Sequence, residues 1–390
     1  MVSQINHNIR SLHIDIEGGY GGSSRSLYEL VSRLDRSIIE PHVVFRQPGP
    51  AIDWYKKINM PATVVPEIAS FVPRDRAYFR NLIATAPRFR KILVAEKKIS
   101  ELIESHRINL IHYNYEGLFF LARRLQKRFN LPAIAHSRAI VGSNILGRFL
   151  AAELSKSIDK LFCISPNELK RWNEIVKTDV NNSEIMWNIA RKAEVRKPFA
   201  RIPEVVYFGN LDYSKGTDRL IDIAKHLEAI KAPPIKIVIY GSARVSQTYH
   251  RSLFQRINDA NIPDRIELGG HCIDPMQRMA SALALLRPSR RNDPWGRDVI
   301  EAAAAGLPAI ATGSFDGVIK PGITGWLIEP FDIDEITTRL CTLLQSPEIF
   351  QDMSKAAQEH AQKFFSGSAQ VARFTEIAQM LVSKQAGAGV

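Results

Sequence analysis

At 390 residues the chain is longer than one ordinary core, so two domains are expected. Hydrophobic residues at 45% and charged residues at 24% fit a soluble globular protein, and no uninterrupted apolar run approaches the ~20 residues of a membrane span. The net charge is +12, and all of the excess lies in residues 1–200, with 31 Lys+Arg against 19 Asp+Glu; residues 201–390 hold 21 of each. A basic half beside a neutral half suggests different partners, the first of them anionic. A nucleic-acid partner is not expected, because no RRM, KH or helix-turn-helix signature accompanies the basic charge. Cys163, Cys272 and Cys341 form no CxxC pair, which argues against structural zinc and disulfides and suits a reducing cytosol. The polar start before Ser11 has no n-region and h-region of a secretion signal, so a cytoplasmic location is expected.

In chain order, short apolar runs at Ser11–Ile16, His42–Phe45, Thr63–Val65, Leu110–Tyr113, Ala133–His136 and Lys160–Ile164 predict strands. Helical patterns lie between them, for example Ser24–Leu34 and Phe119–Phe129. The rhythm restarts at Val205–Phe208 and continues through Ile235–Tyr240, Arg265–Leu268, Ala284–Leu286, Ala309–Ala311 and Gly325–Ile328. Strands alternating with helices predict two doubly wound parallel sheets. The first domain is placed at 1–190, a linker at 191–203 around Pro198 and Pro203, and the second domain at 204–365. A helix over 366–390 is expected to pack back on the first domain. Ligands in such sheets bind beyond the carboxyl ends of strands.

Three segments at predicted strand ends carry chemistry. The Gly18-Gly19-Tyr20-Gly21-Gly22 turn could admit a phosphate to backbone N–H groups, or be a tight turn only; its spacing is neither GxGxxG nor a P-loop. The second segment runs from strand Val205–Phe208 through Gly209-Asn210 to Lys215-Gly216, which opens the helix Asp218–Leu227. Lys215 there is either a point charge for a diphosphate or a solvated surface lysine. The third, Arg287 to Pro308, reads as strand, loop and a helix from Pro294 to Ala305, with Asp293 as N-cap and Gly306 as stop. Glu301 on that helix sits among Val299, Ile300 and alanines, so it either faces the surface or needs a donor such as a ribose hydroxyl.

Taken together, Gly209…Lys215-Gly216, Pro288-Ser289, Asp293-x7-Glu301-Ala302, Ala305-Gly306-Leu307-Pro308 and Gly322-Ile323-Thr324-Gly325 resemble glycosyltransferase family 4. The likeness is dense over 203–365 and sparser over 1–190. It implies an α/β GT-B fold, two Rossmann-like domains facing across a cleft, and a retaining transfer from a nucleotide-diphosphate sugar, with no cofactor and no metal. The one Asp-x-Asp, Asp332-Ile333-Asp334, reads as a helix cap. It also implies roles by position. Lys215 would meet the diphosphate, Glu301 the ribose, Asp293 the transferred sugar, and the backbone of Trp295 and Gly296 the phosphate. Gly209, Asn210, Gly241 and Arg297 would border the donor, and Gly269-Gly270-His271 would flank the base. From the first domain, Gly21 and Gly22 would approach the phosphates. His136 would sit near the anomeric centre, a satisfied core histidine being the alternative.

Two departures matter. The family usually has Arg where this chain has Asn210, and Glu where it has Asp293. Arg290, Arg291 or Arg297 could replace the missing cation. Otherwise the chain is a degenerate nucleotide binder, and a GT-B epimerase or hydrolase is the other alternative. The acceptor implied is a glycan or lipid-linked glycan. Arg74 to Lys98 carries 8 Lys+Arg against Asp75 and Glu96, with apolar residues interleaved, and Pro87 predicts a break into two helices. This stretch could rest on anionic lipid at the inner face of a membrane, or be the solvated face of ordinary helices.

Overall fold

The structure, a computed structural model, describes residues 9–19, 21–70, 82–138, 145–176, 182–241, 247–290 and 296–388. It divides into two compact units, Met1–Ile189 with Gly367–Val390, and Ala190–Ser366.

The first unit is built on β1 (Ile9–Asp15), β2 (Ile39–Phe45), β3 (Ala62–Val64), β4 (Leu110–Tyr113), β5 (Ala133–Ser137), β6 (Lys160–Cys163) and β7 (Ser183–Ile185). They form one parallel sheet in the order β3-β2-β1-β4-β5-β6-β7. Its helices are α1 (Gly22–Val31), α2 (Pro50–Lys57), α3 (Leu82–Ser105), α4 (Phe119–Phe129), α5 (Ile145–Ser155) and α6 (Pro166–Val176). Side chains alternate between sheet faces, so one strand feeds two cores. Val44 joins Leu12, Ile14, Ile111 and the residues of α3 to α6, while Val43 and Phe45 join Ile9, Leu110 and α1. Covered on both faces, such strands read as apolar runs, which is why they are visible in the sequence.

In the second unit β8 (Glu204–Phe208), β9 (Lys236–Tyr240), β10 (Ile266–Gly270), β11 (Ala284–Arg287), β12 (Ala309–Thr312) and β13 (Gly325–Ile328) pair in the order β10-β9-β8-β11-β12-β13, all parallel. The helices are α7 (Arg219–Ala229), α8 (Gln247–Ala260), α9 (Pro275–Ser281), α10 (Arg297–Ala304), α11 (Ile333–Gln345) and α12 (Pro347–Phe365). The last helix, α13 (Ser368–Ala388), returns to the first unit, where Phe374 is buried and the Arg373 guanidinium grips Glu184 of β7 at 2.8 and 2.7 Å. Two doubly wound sheets are therefore present, as the alternation predicts.

Several local expectations are corrected. Residues 191–203 belong to the second unit: the Arg196 guanidinium donates to the carbonyls of Met279 and Ala282, and Lys197 N donates to Ala280 O. α3 runs on through position 87, so Pro87 lies inside one helix and not between two. α10 begins at Arg297 with Gly296 as its N-cap, whereas the sequence suggests a start at Pro294; Asp293 and Pro294 lie outside the described residues. Gly269 and Gly270 end β10, which runs two residues beyond the predicted strand Arg265–Leu268. The strand β7 has no sequence counterpart.

Candidate functional site

In each sheet the strand order reverses once, between β1 and β4 and between β8 and β11. Beyond the carboxyl ends of those strands lies the crevice where open α/β sheets bind ligands.

At the β8 end the chain leaves the sheet at Gly209, whose N–H donates to Tyr240 O at 3.1 Å, and the Tyr207 hydroxyl donates to Asn210 O at 3.1 Å. Asp212 then caps a 3-10 turn, Tyr213–Lys215, by accepting from Ser214 N at 2.6 Å. Gly216 closes the turn at φ +70°, and a Cβ there would lie 1.8 Å from Pro288 O. Only glycine lets the Lys215 turn press against the loop after β11. That loop is tied to the same turn by Arg290 N to Ser214 O at 3.0 Å and Ser289 Oγ to Ser214 O at 3.3 Å. Lys215 is half-buried in this junction.

The β11 end supplies Arg287, 5% exposed, whose guanidinium lies 3.8 Å from Asp298 in the first turn of α10. A Cβ at Gly296 would come within 2.2 Å of Asp298 Oδ1 and 2.7 Å of Arg287 Nη1, so a larger residue there would push these two side chains aside. One turn on, Glu301 is 3% exposed and meets two guanidinium groups, Arg297 at 2.5 Å and Arg191 at 3.1 Å. Its surface-facing reading is thereby excluded, and the partner that burial demands is arginine before any ligand arrives. The α10 N-terminus, with the positive end of the helix dipole and these cations, suits an anion. Gly241 is close to this rim: its N–H donates to Gly270 O at 2.9 Å, and a Cβ would lie 2.3 Å from Gly209 O. His271 is exposed just after β10. Asp293 and Trp295 lie outside the described residues.

The β1 end in the other unit is different. Gly21 caps α1 and Gly22 opens it, but the Glu17 carboxylate lies across the turn, where a Cβ on Gly21 would come within 1.5 Å of Oε2. Asp15 accepts from Ser24 Oγ and, at 2.9 Å, from Asn114 Nδ2. Asn114 Oδ1 in turn accepts from Arg138 at 2.7 Å, and Arg138 reaches Asn188 at 2.5 Å. His136 is 2% exposed, with its Nδ1 2.7 Å from His112 Nε2; His112 Nδ1 lies 2.9 Å from His13 Nδ1, and Ser11 Oγ ends the chain at 2.8 Å. Phe374 of α13 lies beside His13 and His112. Burial holds His13 down to about 3 and keeps His112 and His136 well below the usual imidazole range, with Arg138 adding to the effect on both. This placement matches the satisfied core histidine that was the alternative reading of His136.

The sequence pattern described as Glycosyltransferase Family 4 matches residues 20–185, and that described as Glycosyl transferases group 1 matches residues 191–360. The chain belongs to glycosyltransferase family 4. Among curated relatives, it is 26% identical over 223 residues to the sulfoquinovosyl transferase SQD2 of Arabidopsis thaliana, covering 55% of this chain and 40% of that protein. It is 28% identical over 174 residues to a GDP-mannose-dependent monoacylated alpha-(1-6)-phosphatidylinositol monomannoside mannosyltransferase of Corynebacterium glutamicum, covering 42% of this chain and 44% of that one. The chain thus spans less than half the length of these relatives. In fold it is similar to the Anabaena protein HepE, solved with UDP and glucose, at TM-score 0.77 and 18% identity over 96% of this chain and 100% of that one. The sucrose-phosphate synthase of Thermosynechococcus elongatus matches at TM-score 0.75 and 18% identity over 96% of this chain and 100% of that one. The GT-B fold is shared.

Within this family 4 chain the structure says where the candidate replacements for the missing arginine stand. Asn210 is exposed. Arg290 is engaged with Asp218, Arg297 with Glu301, and Arg291 lies outside the described residues. Sequence reading missed Arg191, Asp218, Arg287 and Asp298. For Arg287 a signal existed, a cation ending the apolar run Ala284–Leu286; the others are defined only by tertiary partners.

Proposed function

We propose that this chain transfers a glycosyl group from a nucleotide-diphosphate sugar to a hydroxyl of a glycan or lipid-linked glycan, with retention and without a metal. The feature that supports it is the β8/β11 strand-order reversal, with the Lys215 turn following β8 and α10 following the loop after β11. Breaking the bond from the sugar to the diphosphate puts negative charge on the leaving oxygen, and preorganised donors aimed there are usually the largest catalytic contribution. Lys215 and the N–H groups at the start of α10 are those donors. The acceptor oxygen attacks the face the leaving group departs from, and its proton passes to the leaving phosphate oxygen. Glu301, oriented by Arg191 and Arg297, accepts from the ribose hydroxyls. Asp332 caps α11 by accepting from Glu335 N at 3.0 Å and Asp334 pairs with His226, so the Asp-x-Asp is used structurally and supports the metal-free reading. Gly21 and Gly22, with Glu17 beside them, are better matched to sugar hydroxyls than to phosphate. Among the described residues, exposed Asn210 favours nucleotide binding without turnover.

Thermal stabilisation by UDP, GDP, ADP and their sugar conjugates tests the reading. One nucleotide should stabilise the wild type, and Glu301→Gln should lose most of that shift. No shift with any of them would refute donor binding.

For the acceptor side we propose contact with an anionic lipid surface through α3. Arg90, Lys91, Leu93, Val94 and Lys97 are exposed there, Leu93 by 50% and Val94 by 43%, while Lys98 is paired with Glu67. Among the described residues no helix is long and apolar enough to cross a membrane, so binding would be at the surface. Sedimentation with phosphatidylglycerol vesicles should carry the protein down, and Lys91→Glu/Lys97→Glu should leave it in the supernatant. Equal recovery with neutral vesicles would exclude the charge argument.

A further inference from the structure

Beside Lys215 lies a second set of polar groups, centred on Arg290 and Asp218. The Arg290 guanidinium donates to Asp218 Oδ1 at 2.7 Å and to Oδ2 at 2.6 Å, and to Tyr213 O at 2.7 Å. It also lies 3.7 Å from the centroid of the Tyr213 ring, a cation–π contact. Asp218 accepts from the Tyr249 hydroxyl at 2.8 Å, and the same hydroxyl oxygen accepts from Thr217 Oγ1 at 3.1 Å. Arg219 closes the far side by donating to Pro288 O at 3.2 Å and Ser289 O at 3.3 Å. Although burial pushes the Asp218 carboxyl up, the hydrogen bonds from Arg290 and Tyr249 hold it below the usual range. The carboxylate is therefore matched to its arginine, and Arg290 is spent on it.

This geometry ties residues 213–218 and 288–290 into one piece, with Lys215 at its centre. We propose that Arg290 and Asp218 are positioning residues that fix the Lys215 turn against the β11 loop, so that the lysine meets the diphosphate of the donor without first being ordered. The bidentate pair acts through the backbone, since Arg290 holds Tyr213 O and Ser214 O on either side of the residue before Lys215. Pre-organisation of this kind removes an ordering cost that binding would otherwise bear. A lysine at position 290 could not reproduce it, because the planar fork is what spans both carboxylate oxygens. Arg290 is thereby removed from the candidates to replace the arginine absent at position 210.

The proposal rests on the reading of Lys215 as the diphosphate contact, and the experiment separates the two. Affinity is measured by calorimetry for UDP and UMP, or for the GDP or ADP pair if that base binds, and the ratio of the two constants reports on the second phosphate. A purely structural role would lower the melting temperature without moving that ratio. Lys215→Ala should lower the preference for the diphosphate roughly a hundredfold, and Arg290→Gln or Asp218→Asn about tenfold, each 1.4 kcal/mol being tenfold. Arg290→Lys should fall between Arg290→Gln and wild type. In a Lys215→Ala background, Arg290→Gln should change nothing further. An unchanged preference in Lys215→Ala would refute the underlying reading. Loss in Lys215→Ala with no loss in Arg290→Gln and Asp218→Asn, or fully additive losses, would overturn the positioning role. Should Arg290→Gln fail to fold, the Asp218→Asn and Arg290→Lys pair gives the same decision.

Discussion

Where the first sheet reverses its strand order it gathers Asp15, Glu17 and Asn114; where the second does so it gathers Lys215, Arg287 and the Arg191–Glu301–Arg297 set. Both sheets thread their strands in the same order, so topology supplies the crevice and side chains decide what enters it. The contrast also runs against overall charge. The basic excess belongs to residues 1–200, yet Asp15 and Glu17 stand at the β1 end with Arg138 the cation near them, and exposed cations line helices such as α3 and α4. In the reading proposed above, net charge describes the outer surface of that half, and the neutral half binds the anionic donor.

The largest effect expected from this difference is in acid. The first unit buries three hydrogen-bonded imidazoles, His13, His112 and His136, behind Phe374. Unfolded, each takes a proton below about pH 6.5, whereas folded His13 does so only near pH 3 and the other two are likewise depressed. Between those limits the unfolded state binds more protons, so stability falls as pH falls and is steady above pH 7. By pH 5 the loss is about 2 kcal/mol for His13, and His112 and His136 act in the same direction. Urea melts followed at pH 7 and pH 5 should show the first unit unfolding at much lower denaturant in acid, and His136→Asn should flatten that dependence. A midpoint that stays put between the two pH values would rule this out. The same variant bears on His136 as a core residue: nucleotide affinity should survive the change at pH 7.5.

A smaller effect comes from two glycines of the second unit with nearly the same backbone angle. Gly216 has φ +70° and Gly270 φ +68°, but a Cβ on Gly216 would strike Pro288 O at 1.8 Å, whereas nothing lies within 4 Å of one on Gly270. Gly270→Ala should cost only the left-handed strain, about 1 kcal/mol. Gly216→Ala should cost about 2–3 kcal/mol more, since backbone must shift, and should lower diphosphate affinity as well. Equal losses of stability in the two variants would show that the Lys215 turn and the β11 loop are not pressed together.

How much of this was open to sequence reasoning follows from what each residue depends on. Leu110–Tyr113 and Gly325–Ile328 are strands with the bounds their apolar runs suggest, because both faces of a parallel sheet are covered. β7 is only three residues, Ser183–Ile185; it exists through pairing with β6 and through Lys160 and Arg373 on Glu184, none of which is local. Lys215 and Glu301 stood out by spacing from glycines and prolines. Asp218, Arg191 and Arg290 gain meaning only from partners between 72 and 110 residues away in sequence, at Arg290, Glu301 and Asp218. The histidines fall between these cases. His13, His112 and His136 sit on adjacent strands β1, β4 and β5, and alternation puts each on the face opposite its sequence neighbours; their burial follows from that face being covered too.

The smallest expected change would sharpen the comparison from the opposite direction, by adding charge. Asn210 follows Gly209 at the open end of β8, is exposed, and offers its carbonyl to Tyr207 while its side chain stands where the family pattern has arginine. Asn210→Arg would add one cation to a crevice that already holds Lys215 and leave the first unit untouched. A charge-assisted contact to phosphate in a half-exposed place should raise UDP affinity about tenfold. UMP affinity should hardly change, and the gain should shrink as ionic strength rises. Because Arg290 is bound to Asp218, the gain should persist undiminished in Arg290→Gln, which distinguishes a new phosphate contact from repair of the Lys215 turn. An Asn210→Arg protein whose affinity for UDP is unchanged would mean that the second phosphate lies away from the β8 end, and the charge contrast between the two strand-end crevices would lose its functional meaning.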